Sequence, residues 1–272
     1  MTHSVSTNAA GAVIAHKLDK VFTTHRGTVV HALDSVDLKI AEGEFLCIVG
    51  PSGCGKTTLL NIIGELETPS GGLVELNVTD ESRPRFSIVF QEQGIFPWMT
   101  VLDNAAYGLM ARGIGRKERE KVARDLLDRM GLGAFERSFP HELSGGMRQR
   151  VNLARAFAND SSILLMDEPF ASLDEQTKLL LQDDLLAVWE GTRKTVLFIT
   201  HSLDEAVRLA DRVVVMTSRP GRIKAIVDID LPRPRDILLL ESDERYRELH
   251  QKVWEELRNE VLAAAHREKK AS

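Results

Sequence analysis

Residues 44–66 read EFLCIVGPSGCGKTTLLNIIGEL, and their order decides the fold. EFLCIVG (44–50) is a short apolar run of strand character. It passes without a turn into GPSGCGKT (50–57), and KTTLLNIIGEL (56–66) follows at helical spacing, closed by TPSGG (68–72). A strand feeding a glycine-rich loop that opens a helix is the context a phosphate-binding loop requires. Its glycines let backbone amides turn onto phosphate oxygens, and the helix N-terminus adds a favourable dipole. Within Gly50, Pro51, Ser52, Gly53, Cys54, Gly55, Lys56 and Thr57, the lysine would neutralise the β and γ phosphates. The Thr57 hydroxyl would reach Mg²⁺.

Outward from this stretch, residues 13 to 90 read as strands around the one helix. HALDSVDLKI (31–40) alternates and meets the turn AEGE, and RFSIVF (85–90) is a buried strand ending at Gln91. The texture then changes: TVLDNAAYGLM and RKEREKVARDLLDRMGL show helical spacing, with Gly131 as a helix stop. An all-helical insertion is expected over about 93–158. Strands return with SILLMDEP, TVLFITH and DRVVVMTS. Strands separated by helices imply a mostly parallel sheet covered on both faces. SRPGR reads as a turn, and LPRPRD ends the core near residue 235. Beyond it Tyr246, Leu249, Val253, Leu257 and Val261 recur at helical spacing, the stripe of a C-terminal helical extension (236–272) packed on the core.

The 272 residues suffice for one large domain with an inserted lobe. The hydrophobic fraction of 43% and charged fraction of 28% are those of an ordinary soluble protein. A net charge of -5 argues against a nucleic-acid partner. Cys47 and Cys54 lack metal-ligand spacing, which points to a reducing compartment. The first dozen residues read as a disordered tail, and no apolar run has the length of a membrane span. A cytoplasmic chain is expected, with any membrane role through a partner.

Three further groups carry chemistry. The strand Ile163–Met166 delivers Asp167 and Glu168 to its carboxyl end, where α/β sheets place ligands. Asp167 suits the Mg²⁺ shell, directly or through water, and Glu168 could polarise an attacking water. Gln91 and His201 also end strands, so both could face one phosphate site; read alone, His201 and Asp174 (in ASLDE) stay open between that and a structural role. Finally LSGGMRQR (143–150) sets an N-cap serine, Ser144, before Gly145 and Gly146, leaving the first helical amides bare. This is a second anion site on a chain that already has one. Arg148 and Arg150 could be a solvated helix face.

Taken together the set resembles the ATPase subunits of ABC transporters. GPSGCGKT looks like their Walker A motif, LSGGMRQR their signature and ILLMDEP their Walker B, while Gln91, SLD (172–174) and His201 match their Q-loop, D-loop and H-switch. The resemblance covers about residues 13–230. It implies an α/β P-loop NTPase core of RecA type, and a head-to-tail homodimer with two sandwiched ATPs. Each ATP would lie between Walker A of one subunit and Ser144, Gly145 and Gly146 of the other. It further implies Phe22 stacked on adenine, and ATP contacts from residues 50–57 together with Thr58 and Asp174. Glu168 would be the catalytic base, His201 the γ-phosphate sensor, and Gln91 a metal-side residue coupling the site to transport subunits. Three positions depart from the family pattern: Met147 where glutamine is commoner, Ser202 where aspartate is frequent, and Glu65 in a usually apolar turn.

QEQGIFPWMTVLDNAAYGL, SRPGRI and LPRPRD are similar to the nitrate, sulfonate and taurine importer branch. There Phe96, Pro97, Trp98 and Met99, an exposed-looking apolar knot, would meet coupling helices of a transmembrane permease. The resemblance thus implies an importer ATPase at the cytoplasmic face of the membrane, served indirectly by a substrate-binding protein. The residues alone leave open a soluble ABC ATPase acting as a regulator or assembly factor.

Overall fold

The computed structural model describes residues 11–271 apart from 25–26, 79, 81 and 92–93. Most of the expected N-terminal tail lies outside those residues, and β1 already begins at Gly11. Two sheets organise the chain. In the antiparallel one, β1 (Gly11–Thr23) is flanked by β2 (Val29–Ala41) and β4 (Gly71–Leu76). The other has six strands in the order β5 (Phe86–Val89), β6 (Ile163–Asp167), β7 (Thr195–Ile199), β3 (Phe45–Val49), β8 (Arg212–Met216), β9 (Ile223–Asp228). Its pairings are parallel except β8–β9, giving a mixed, mostly parallel sheet.

The central strands are apolar at almost every position because both faces are covered. Alternation then divides their side chains. Leu46, Ile48, Leu165, Leu197 and Ile199 face α1 (Lys56–Ile63) and the antiparallel sheet, where Val13, Leu18, Val36 and Ile40 close one core. Phe45, Cys47, Val49, Leu164, Met166 and Phe198 face the second core with the remaining helices. Between β5 and β6 run α2 (Val101–Ala111), α3 (Arg116–Arg129) and α4 (Gly145–Ala158), and α4 packs on both others. Thr100 caps α2 by accepting from Asp103 N at 3.1 Å. α3 stops before Gly131, whose φ is 67°. Then come α5 (Glu175–Thr192), α6 (Leu203–Leu209), α7 (Ile237–Leu240) and α8 (Glu244–Ala271).

Three readings need correction. α1 ends at Ile63 rather than continuing through Leu66, so Glu65 lies past the helix, at φ 55° and paired with Arg85. The polar residue therefore sits in the turn without entering the core. On α8, Tyr246, Leu249, Val253 and Leu257 are buried, but Val261 is 37% exposed because the helix runs on beyond the core. The knot at 96–99 is only partly exposed: Phe96 is half-buried, its ring 4.5 Å from Tyr107, whereas Trp98 is 70% exposed.

The stretch LPRPRD reaches back to α6, and the core continues beyond it to Leu257. Arg235 is buried, and its guanidinium donates to the carbonyls of Arg208 and Ala210 at 2.9 and 2.8 Å, satisfying the C-terminal end of α6. Burial pulls its pKa down to about 10.

Candidate active site

The strand order sets four chemical groups side by side. β3, β7, β6 and β5 are neighbours, and their carboxyl ends lead respectively into the phosphate loop, His201, Asp167–Glu168 and Gln91. This is the edge at which parallel α/β sheets bind ligands. A cavity of about 270 Å³ opens there, lined by Phe22, Val30, Ala32, Ser52–Thr58, Glu168 and Arg219.

Gly55 takes φ 104° as the N-cap of α1, a left-handed turn that aims the first helical amides into the cavity. Lys56 is 7% exposed, and its ammonium donates to the carbonyls of Gly50 at 2.8 Å and Pro51 at 3.2 Å. Those two residues hold the amine beneath the loop. Cys54 is buried, and burial pushes its thiol pKa up, so it behaves as a packing residue. Phe22, next to last in β1, pairs with Val30 of β2, with its ring at the cavity and Lys20 Nζ 4.7 Å from the ring centre.

Thr57 Oγ1, on the first turn of α1, donates to Asp167 Oδ1 at the end of β6 at 3.3 Å. Burial pushes the Asp167 carboxyl above its ordinary value; the Thr57 hydrogen bond opposes this, and the nearby Glu168 charge adds to it. A carboxylate so placed gains from a cation. The paired hydroxyl and carboxylate are hard oxygen donors, fitting a magnesium ion that keeps water and phosphate as its other ligands. Among the described residues no cluster of three or more His, Cys, Asp or Glu could hold a metal by itself.

Glu168 has φ 45°, and its amide donates to Ile199 O at 2.9 Å. The left-handed turn takes its side chain out of the strand's alternation and into the cavity wall. Its Oε2 lies 2.8 Å from His201 Nδ1. Thr200 and Glu205, buried beneath, brace the histidine's loop through a 2.6 Å hydrogen bond from Thr200 Oγ1. Ser202 caps α6 by accepting from Glu205 N at 3.3 Å, the task an aspartate would perform there.

Several expected residues lie elsewhere. Gln91 is exposed beyond the edge strand β5 and does not line the cavity. Neither do Ser144, Gly145 and Gly146. Ser144 is exposed and caps α4, accepting from Met147 N at 3.3 Å. Gly146 meets α5 so closely that a Cβ would stand 2.5 Å from Thr177 Cγ2. Asp174 caps α5 through Thr177 N at 3.0 Å; that hydrogen bond first of all holds its carboxyl below the usual range. Arg148 and Arg150 are not a solvated face: Arg148 donates to Leu143 O at 2.6 Å and Arg150 pairs with Asp184 at 3.0 Å. Met147 packs partly buried against the core. Sequence reading missed Arg219, because SRPGR gave a turn and a branch resemblance but no sign of a site residue.

The family model for ABC transporters matches residues 33–171. An uncharacterized ABC transporter ATP-binding protein of Methanocaldococcus jannaschii is 50% identical over 247 residues, 90% of this chain and 91% of that protein. A taurine import ATP-binding protein of Rhizobium johnstonii is 46% identical, over 78% of this chain and 82% of its own length. A nitrate import ATP-binding protein of Synechocystis is also 46% identical, over 79% and 81%. Among solved structures, a dimeric bacterial ABC transporter cassette superposes with TM-score 0.70 at 32% identity, covering 81% of this chain and all of that one. A post-hydrolysis dimer of a cassette bound to ADP and Pi gives TM-score 0.68 at 33% identity, again over 81% of this chain.

Proposed function

The chain belongs to the ABC transporter ATP-binding family, and we propose that it is the ATP-hydrolysing subunit of an importer for a small solute of the nitrate, sulfonate or taurine kind. The observation that carries this reading is the row of motifs along one sheet edge, together with a signature helix that stands outside its own chain's cavity. The importer names of the relatives support the branch.

In this reading ATP lies with its base against Phe22 and its phosphates on the amides of residues 50–57, Thr58 completing the first helical turn. Lys56 balances the charge of the β and γ phosphates from beneath the loop. Thr57 and Asp167 hold magnesium, which when bound supplies charge stabilisation to the transferring phosphoryl group. Glu168 orients a water and accepts its proton as that water attacks the γ-phosphorus in line with the leaving ADP oxygen. His201, bonded to Glu168, fixes the carboxylate and faces the γ-phosphate. Ser144, Gly145 and Gly146 of a second copy close the other side, presenting the amide end of α4 to the γ-phosphate. Asp174 caps α5 at that seam. Gln91 and the apolar knot carrying Trp98 face a transmembrane permease at the cytoplasmic side, so that dimer closure and opening move the permease.

The test is co-purification. A tagged chain expressed with its native membrane fraction should capture a multi-span protein identifiable by mass spectrometry, and ATP turnover should rise in that complex. Capture of soluble proteins alone, with full turnover by the isolated chain, would point instead to a non-transport ATPase.

A further inference from the structure

The turn Thr217–Arg222 joins β8 to β9 and is braced from three sides. Thr217 N donates to Arg222 O at 2.9 Å and Arg222 N to Thr217 Oγ1 at 3.0 Å, closing the turn on itself. Gly221 N donates to Ala32 O at 2.9 Å, and Asp34 N donates to Gly221 O at 3.0 Å, tying it to β2. Gly221 lies so close to the phosphate loop that a Cβ there would stand 2.1 Å from Cys54 O; only glycine fits. From α8, Glu260 Oε2 accepts from Ser218 N at 2.9 Å. Arg219 thus rides on a fixed turn. Its Nε donates to Gly53 O at 3.2 Å, and its Nη2 lies 3.2 Å from where a Cβ on Gly53 would stand. Gly53 lets the guanidinium lie against the loop, where it lines the cavity with Phe22 and Glu168.

We propose that Arg219 is a nucleotide-binding residue whose guanidinium engages phosphate oxygens of the bound nucleotide, and that Glu260 on α8 is its positioning residue. This rests on reading the cavity as the ATP site. Lys56 is a point charge held beneath the loop, whereas Arg219 is exposed on the cavity wall. A guanidinium matches phosphate oxygens two at a time, and the Nε bond to Gly53 sets the plane of the fork before ligand arrives. The arrangement also links the C-terminal helix to the nucleotide through one turn. A purely structural role, pinning the loop, would act through the Gly53 carbonyl, and Arg219→Lys, which keeps a cationic donor there, would then restore the native affinities in full.

The experiment measures affinities of ATP, ADP and AMP for the full chain by displacement of a fluorescent ATP analogue. Arg219→Ala should weaken ATP and ADP about tenfold and AMP about threefold or less, and Arg219→Lys should recover only part of the loss. Glu260→Ala should weaken ATP about threefold in the native background and not at all beside Arg219→Ala, the signature of coupling rather than general loosening. Equal losses for all three nucleotides, or none, would overturn the assignment, as would an additive Glu260→Ala effect. Lys56→Ala run in parallel separates the two levels. If it too binds ATP as the native chain does, the cavity is not the ATP site and the proposal falls with that reading. If Lys56→Ala loses ATP while Arg219→Ala and Arg219→Lys bind normally, only the arginine's role is wrong.

Discussion

Glu168 holds a left-handed backbone at φ 45°, which costs a non-glycine residue on the order of 1–3 kcal/mol, and what that geometry secures is a carboxylate at the cavity wall bonded to His201. Glu168→Gln should cut turnover by about 10²–10⁴ while ATP binding persists, read by steady-state hydrolysis beside equilibrium binding. Asp167 offers a test with a sign. Its folded pKa is raised, so between the unfolded value near 4 and the folded one the native chain holds the extra proton, and stability falls as pH rises through that window. Asp167→Asn removes the buried charge. The nucleotide-free variant should melt higher than the native chain at pH 7, by a margin that shrinks as pH falls toward 4, and should lose turnover by about 10²-fold. Sequence made these carboxylates legible because they end an apolar strand downstream of a phosphate loop. It could not show that Glu168 leaves the strand's alternation, since φ depends on the hydrogen bond to Ile199 across the sheet. Arg219 stayed invisible for a related reason: its neighbour Gly53 is 166 positions away.

At the scale of elements, β3 and α1 were readable because local chemistry specifies them: an apolar run, a glycine loop, a helical spacing. The limit of α1 was not. Glycine at 64 closes the helix, and Glu65 follows with positive φ, where continued periodicity through Leu66 suggested three more helical residues. α8 shows the same limit at the other end of the chain. Its stripe is right through Leu257, but a helix can keep its period after its partner surface has ended, and Val261 is already exposed. The energetic consequence is measurable: Leu249→Ala, at 1% exposure, should cost about 2–5 kcal/mol, and Val261→Ala should stay within roughly 0.5 kcal/mol, both by denaturant unfolding. Similar costs at the two positions would mean that α8 is covered along its whole length.

For the whole molecule, the neighbour order of β5, β6, β7 and β3 brings the phosphate loop, His201, Asp167–Glu168 and Gln91 to one sheet edge, and the start of α4 lies outside the cavity there. Parallel strands and intervening helices were evident from the chain, yet strand order was not, because pairing between β3 and β7 joins segments about 150 residues apart and no local signal records it. The central claim is that the surplus helix start completes the site of a second copy. Complementation tests it most directly. Lys56→Ala spoils the phosphate loop and Ser144→Arg spoils the signature, so each homodimer should be inactive. In a mixed dimer one site combines the intact loop of one subunit with the intact signature of the other. Equal mixing should therefore restore up to about a quarter of native ATP turnover, the share expected from random pairing with one good site in two. A mixture no more active than either variant alone would contradict the shared site, as would full activity of Ser144→Arg by itself.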